Sequence, residues 1–267
     1  FLYYLTLSQI KREGMRNEDF EGLIKIRHAL HQIAEVSEKE FNTAQYVLEL
    51  LQYTEASDLI SNLGGTGIAA VYDSGKPGKT LLFRAELDAL PIHEINTFEY
   101  KSRNQGVSHK CGHDGHMTTL IGLGKKLQQE LSLKRGKVIL LFQPAEENGE
   151  GAKAVLQDEK FSSIQPDEVY AYHNLPGYPM GQLVLKKNNF NASVKSIIIK
   201  YLGKTAHAGE PEHGINPGPP ISETLLEVLN YSNNDPSRKD FTLITPVHAN
   251  FGDLAYGISA GYGELHL

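Results

Sequence analysis

The sequence predicts an α/β protein in two parts, and three observations carry that expectation. Up to Gly181, helical and strand patterns alternate as they do in parallel α/β architectures. Several of the apolar strand patterns end in polar residues, and open α/β sheets place their sites at the carboxyl ends of strands. Beyond Gly181 the texture changes to an Asn-rich turn followed by longer strand patterns, which sets a boundary near residues 187–191. Residues 1–188 are therefore expected to form one domain and residues 189–267 a second. A chain of 267 residues with 40% hydrophobic and 22% charged side chains suits one large or two ordinary domains, and its composition excludes a disordered chain.

The first part opens with a helix over residues 18–32. A second helix is expected to start at the capping box Ser37-Glu38-Lys39-Glu40 and to bury Phe41, Ala44, Leu48 and Leu51 on one face. Residues 68–72 and 80–85 read as buried strands around a Ser-Gly-Lys-Pro-Gly turn. A helix spans residue 116 to about residue 131, because Met117, Leu120, Ile121, Gly124, Leu127 and Leu131 fall at helical spacing. Residues 138–142 form an apolar strand stopped by Pro144, and residues 169–172 form another.

In the second part, strands are expected over residues 182–186 and 193–202, then a loop over 203–216 and a helix over about 221–231. Further strands follow over 241–247 and 260–267. Pro217, Pro219 and Pro220 crowd that helix start and predict a late beginning. The chain opens on Phe1, with Met15 as a candidate natural start, and stops inside a strand pattern. It is expected to be a piece of a longer polypeptide.

Charge and cysteine content narrow the function classes. Lys and Arg number 26 against 32 Asp and Glu, a formal charge of −6, and no basic tract exceeds two residues, so nucleic acid is not an expected partner. The longest apolar stretch, residues 1–10, is interrupted by polar residues and falls short of the roughly 20 residues a membrane span needs. No membrane partner is expected, and the expected location is the cytoplasm. A single cysteine, Cys111, excludes an internal disulfide and leaves its thiol inert, reactive or metal-bound.

Two glycine patterns carry no nucleotide site. Gly65-Thr66-Gly67-Ile68-Ala69-Ala70 has the dinucleotide spacing, but the turn at Gly75 arrives where a helix is required. Gly78-Lys79-Thr80 lacks the upstream glycine of a phosphate loop and leads into a strand.

The segment His109-Lys110-Cys111-Gly112-His113-Asp114-Gly115-His116 is different. It packs three histidines, a thiol and a carboxylate in front of a helix, and that is a ligand set for zinc and its neighbours. A polar helix-capping loop and a Cys/His nucleophilic pair are the other readings of the same residues. Next, Gln143-Pro144-Ala145-Glu146-Glu147 puts two carboxylates at a strand end. One can hold metal while its neighbour takes a proton from water. Taken alone, such a pair is usually solvated surface. His173 directly follows an apolar strand, where a lone histidine is usually structural; three strand ends each delivering a ligand type form a constellation.

The motif order is Arg84-Ala85-Glu86-Leu87-Asp88-Ala89-Leu90-Pro91, Cys111-Gly112-His113-Asp114-Gly115-His116, Gln143-Pro144-Ala145-Glu146-Glu147, His173 and Gly203-Lys204-Thr205-Ala206-His207-Ala208. It resembles the M20 metallopeptidase family, specifically the amidohydrolase branch of hippurate hydrolases, N-acyl-amino-acid amidohydrolases, auxin-conjugate hydrolases and aminobenzoyl-glutamate hydrolases. The resemblance implies an α/β fold: a zinc-peptidase-like catalytic domain with a mixed, mostly parallel sheet flanked by helices, and an inserted smaller α+β lid, or dimerisation, domain that is incomplete here. It implies two divalent metal ions, zinc or manganese, held by Cys111, His113, Glu147 and His173. Glu146 would be the general base and then the proton donor, and Asp88 would orient the site. His207 would stabilise the oxyanion in a neighbouring subunit, so a homodimer is expected. The implied substrate is an N-acyl amino acid or similar small conjugate; no substrate-binding residue is assigned.

Three departures qualify that pattern. Glu86 stands where the branch usually has Asp, and Tyr256-Gly257-Ile258-Ser259 lacks the Asn and Pro of the lid's carboxylate-binding motif. A last histidine ligand, which relatives supply after the lid, has no counterpart here. A catalytically impaired fragment, or an M20-like binding module without chemistry, is therefore the alternative. A zinc-stabilised structural domain is a weaker one, because structural sites are closed and lack a poised base.

Overall fold

The computed structural model describes residues 2–5, 17–129, 133–235 and 237–267. Leu131 and Met15, on which two expectations rest, lie outside the described residues. The chain divides into two compact units, Tyr4–Leu183 and Val184–Leu267, with Leu2 and Tyr3 grouped with the second. Short strands β1 (Leu2–Leu5) and β7 (Leu183–Lys186) lie at the division.

In the first unit the order is α1 (Asn17–Gln32), α2 (Phe41–Leu51), β2 (Asp58–Leu63), β3 (Gly67–Asp73), β4 (Thr80–Glu86), α3 (His113–Gln129), β5 (Lys137–Gln143), α4 (Gly151–Gln157) and β6 (Glu168–Ala171). The sheet order is β2-β3-β5-β4-β6. β3 is antiparallel to both of its neighbours, while β5, β4 and β6 are mutually parallel, so four of the five strands run the same way. Along β5, Val138, Leu140 and Phe142 join a cluster with Leu30, Val47 and Met117 of the helices, while Ile139 and Leu141 face Leu63, Leu82 and Val155. Both faces of the sheet are covered, and that is why β5 reads as an unbroken apolar run. The expected strands over 68–72, 80–85, 138–142 and 169–172 all form, and β2 is an addition. Its sequence DLISNL is half polar because the strand is mostly partly exposed. Gly67 opens a strand, which accounts for the failure of the dinucleotide pattern.

The start of α2 differs from expectation. Ser37 does not cap the helix; its hydroxyl donates to Asp88 Oδ2 at 2.7 Å. The helix's free amides at Asn42 and Thr43 donate instead to the Glu35 carboxylate, at 3.3 and 2.9 Å. Glu40 is fully buried and accepts from the Ala145 amide at 2.8 Å. The buried positions of α2 are Thr43, Val47 and Leu51, and Phe41 is 66% exposed. α3 begins at His113, a turn earlier than expected.

Residues 87–112 connect β4 to α3 and deliver Cys111. Glu94 gathers this connection: its carboxylate accepts from the Ser102 amide at 2.7 Å, Asn96 Nδ2 at 2.8 Å, Lys110 Nζ at 2.9 Å and His31 Nε2 of α1 at 3.2 Å. Burial raises its pKa, but the Ser102, Lys110, Asn96 and His31 donors outweigh it and hold the carboxyl at about 2. A carboxyl depressed in the folded state contributes stability above its ordinary value of 4.5, and that contribution is lost as pH falls toward about 2. Glu94→Gln is therefore expected to lower stability at pH 7 and to flatten its decline between pH 5 and pH 2. Urea unfolding across that range checks this, and parallel acid limbs in the two proteins would refute it.

The second unit contains β8 (Ile198–Leu202), β9 (Ala206–His207), α5 (Gly218–Val228), β10 (His248–Phe251), β11 (Ile258–Ser259) and β12 (Tyr262–His266). β10, β12 and β8 form an antiparallel sheet, and β11 pairs with β9. Ile221 of α5 is buried over this sheet, close to Gly263. The expected strand over 193–202 is shorter, because residues 193–196 lie beyond the Ile197–Leu267 hydrogen-bond pair. Residues 241–247 do not form a strand; Pro246 offers no ladder donor, and pairing begins at His248. The strand expected over 260–267 starts at Tyr262, with β11 separate before it. Gly261 passes so close to Thr205 that a Cβ there would lie 2.4 Å from its amide nitrogen. α5 starts at Gly218, not late, because Pro219 and Pro220 sit in its first turn, where no amide is needed. Among the described residues no helix is long and apolar enough to cross a membrane.

Candidate metal centre

Three adjacent parallel strands end on the same side of the sheet, and each releases a polar segment there. Asp88 follows β4, Glu146 and Glu147 follow β5, and His173 follows β6, while α3 opens with His113 just after Cys111. The turn after β5 is held in an uncommon conformation: Ala145 has φ +46°, a left-handed value that non-glycine residues rarely adopt. The buried Glu40 carboxylate secures its amide, and the Gly151 amide donates to its carbonyl at 2.9 Å. Gly112, at φ +96°, lets the chain turn between Cys111 and His113. A Cβ there would lie 2.6 Å from Asn174 Oδ1.

Backbone carbonyls set the tautomers of two histidines. His113 donates from Nδ1 to the Asp88 carbonyl at 2.8 Å, and His173 donates from Nδ1 to the Asn174 carbonyl at 2.7 Å. A carbonyl only accepts, so in the neutral ring each Nε2 keeps its lone pair. The Cys111 thiol lies 3.2 Å from His173 Nε2. His113 Nε2 lies 3.7 Å from Glu147 Oε1 and 3.8 Å from Glu146 Oε2. Asp88 is fully buried beneath the site and accepts from the Glu147 amide at 2.9 Å as well as from Ser37.

The electrostatics of this cluster call for a positive charge. Burial, with the carboxylates of Glu147, Glu146 and Glu86, pushes the Cys111 thiol up to about 12. Burial also raises Glu147, against the pull of His113. Burial opposes ionisation of Asp88, but the adjacent His113 imidazole and hydrogen bonds from the Glu147 amide and Ser37 hold it below the usual range. His113 Nε2 and Glu147 Oε1 are both buried and have no hydrogen-bond partner among the described residues, although they face each other. Buried polar atoms are rarely left unpaired. Ligand atoms of Cys111, His113 and His173 lie within 4.8 Å of one another, as do those of His113, Glu146 and Glu147. Thiol, imidazole and carboxylate donors around two such orphaned atoms fit divalent cations.

The structure thus brings five of the seven expected site residues together and puts Asp88 beneath them. His207 belongs to the second unit, on β9. A further network had no assigned role in the sequence reading. Arg84 donates to Glu86 at 2.6 Å, and His116 donates from Nδ1 to Glu86 at 2.8 Å. His116 Nε2 lies 2.7 Å from Asn174 Oδ1 and 3.2 Å from the Asn174 amide nitrogen. The His116 ring lies 4.7 Å from that of His173, and Tyr172 donates to the His116 carbonyl at 2.5 Å. These contacts tie the Cys111–His113 segment to the His173–Asn174 segment. The spacing of His113 and His116, one helical turn apart, was the available signal.

Comparison with known proteins decides the family. The model of peptidase family M20/M25/M40 matches residues 82–254, the stretch that contains all seven expected site residues.

The chain belongs to peptidase family M20/M25/M40.

Within the M20 family it is 38% identical over 192 residues to an N-acetyldiaminopimelate deacetylase of Streptococcus thermophilus, covering 71% of this chain and 50% of the relative. It is 36% identical over 193 residues to a hippurate hydrolase of Campylobacter jejuni, covering 72% and 50%. The chain thus spans about half the length of these M20 relatives. A Bacillus subtilis protein described as a dinuclear metal binding peptidase of the M20 family shares the fold, with a TM-score of 0.63 at 22% identity over 94% of this chain and 64% of that one.

Proposed function

We propose that this chain carries the catalytic centre of a two-metal amidohydrolase that cleaves the amide bond of N-acyl amino acids. The observation that carries the reading is the buried, unpartnered pair of His113 Nε2 and Glu147 Oε1 with Glu146 beside them. The named activities of the deacetylase and hydrolase relatives support it. Cys111, His113, Glu147 and His173 would hold zinc or manganese. When bound, such cations polarise the amide carbonyl and acidify water. Glu146, whose side chain is 38% exposed beside a ligand, takes the proton from the attacking water and returns it to the leaving amine. Asp88 holds His113 and the Glu147 backbone in register. The Glu86–His116–Asn174 network keeps the two ligand-bearing segments together. A binding module without chemistry would leave Glu146 without a role.

His207 donates to the developing oxyanion, supplied by the second copy of a homodimer formed through the second unit. A lone thiol serving as a ligand suits a reducing compartment, which favours the cytoplasm.

The test is release of amino acid from N-acetyl amino acids by protein stripped with a chelator and then given zinc or manganese, with Glu147→Ala alongside. Activity lost on stripping, restored by a cation and absent from Glu147→Ala is the expected result. Hydrolysis that ignores the chelator and stops on alkylation of Cys111 would assign the chemistry to a thiol nucleophile and overturn the proposal.

A further inference from the structure

The chain sets its histidine tautomers in two opposite ways. At His113 and His173 a backbone carbonyl accepts a hydrogen bond from Nδ1–H, which leaves the lone pair of the neutral ring on Nε2. At His207 the partner is a donor: the Gly209 amide points at Nδ1, with nitrogen to nitrogen 3.0 Å. An imidazole nitrogen that accepts from an amide carries no proton, so the neutral ring must carry it on Nε2.

The backbone around this contact is secured from several sides. His207 pairs with Ile258 and Ala206 with Ser259 in the β9–β11 ladder. The Ala208 amide donates to the Gly257 carbonyl at 2.9 Å, and the Glu210 amide closes a turn onto the His207 carbonyl at 2.9 Å. The Gly209 amide is thereby presented inside the turn, two residues beyond His207, in the geometry by which short polar side chains bond their own backbone.

We propose that the Gly209 backbone amide is a positioning group that holds exposed His207 as the Nε2–H tautomer, so that this histidine is a hydrogen-bond donor to a carbonyl or anionic oxygen rather than a metal ligand. Nδ1 is occupied by the amide and Nε2 carries the proton, so neither nitrogen offers a cation a free lone pair. The assignment of the tautomer stands on this unit alone. What the donor acts on rests on the function proposed above.

The experiment is nitrogen-15 NMR of the full chain above the histidine titration range, with the His207 ring assigned by its loss in His207→Gln. The expected result is a proton on Nε2 and a coupling across the hydrogen bond between the Gly209 amide nitrogen and His207 Nδ1. Gly209→Ala keeps the amide, and its Cβ would meet Nδ1 at 3.2 Å, so the ring shifts by a few tenths of an ångström while tautomer and coupling persist. Gly209→Pro deletes the donor, and the ring should then show both tautomers. Metal stoichiometry should be unchanged in His207→Gln. A proton on Nδ1 in the unaltered protein, or a coupling absent from it, overturns the proposal even if the proline variant does not fold. Activity plays no part in these readouts, so an inactive protein with the expected spectrum would count against the function and leave the tautomer assignment standing.

Discussion

Glu146→Gln is expected to lower kcat on N-acetyl amino acids by about 10²–10⁴, the contribution of a positioned general base, while cation content stays unchanged. The amide keeps the size and shape of the carboxylate but cannot accept the proton of the attacking water. The separation of effects follows from geometry. Glu147 Oε1 is the buried atom facing His113 Nε2 at 3.7 Å, whereas the Glu146 side chain is twice as exposed, 38% against 18%. Neighbouring residues on a tight turn point their side chains apart, and here Glu147 is the one that turns inward. Single-turnover kinetics alongside elemental analysis decides the matter. Loss of both activity and metal in Glu146→Gln would make Glu146 a ligand, and retained activity would remove the proposed mechanism.

Asp88→Ala is expected to weaken cation binding by about 10–100-fold, as removing a partner that orients metal ligands does. It should also cost about 2–4 kcal/mol of stability, since two donors lose their acceptor. Those donors are the Ser37 hydroxyl at 2.7 Å and the Glu147 amide at 2.9 Å, both directed at Oδ2 of a fully buried carboxylate. His113 keeps its bond to the residue 88 carbonyl, so its tautomer should survive while the Glu147 turn loosens. Competition with a chromophoric chelator reads the affinity, and urea unfolding of the cation-free protein reads the stability. Affinity within twofold of the unaltered protein would reduce Asp88 to a packing role.

Much of the centre could be read along the chain because its parts are short in sequence and rare in type. Cys111 and His113 stand two residues apart, Glu146 and Glu147 are adjacent, and each group precedes or follows an apolar segment that betrays a strand or helix end. The Glu86–His116–Asn174 network could not be read that way. Its members lie 30 and 58 positions apart and meet only because β4 and β6 are neighbours and α3 begins over their ends. Ser37 and Glu40 show the same limit from the other side. Their spacing satisfies a local capping rule, yet each finds a buried partner elsewhere, at Asp88 and Ala145, that outweighs a solvent-exposed cap. In the second unit the strand limits escaped local pattern, because ladder pairing set them at Ile198 and Tyr262.

The sequence by itself determined the α/β alternation and the residue types of the candidate centre, because these depend on periodicity, composition and chemistry close along the chain. The tertiary structure alone decided which nitrogen of His113 and of His173 is free, which glutamate faces inward and which carboxylates serve as buried supports. Those outcomes depend on hydrogen bonds and burial between groups far apart in sequence, where desolvation makes each unpaired polar atom costly and so selects one arrangement.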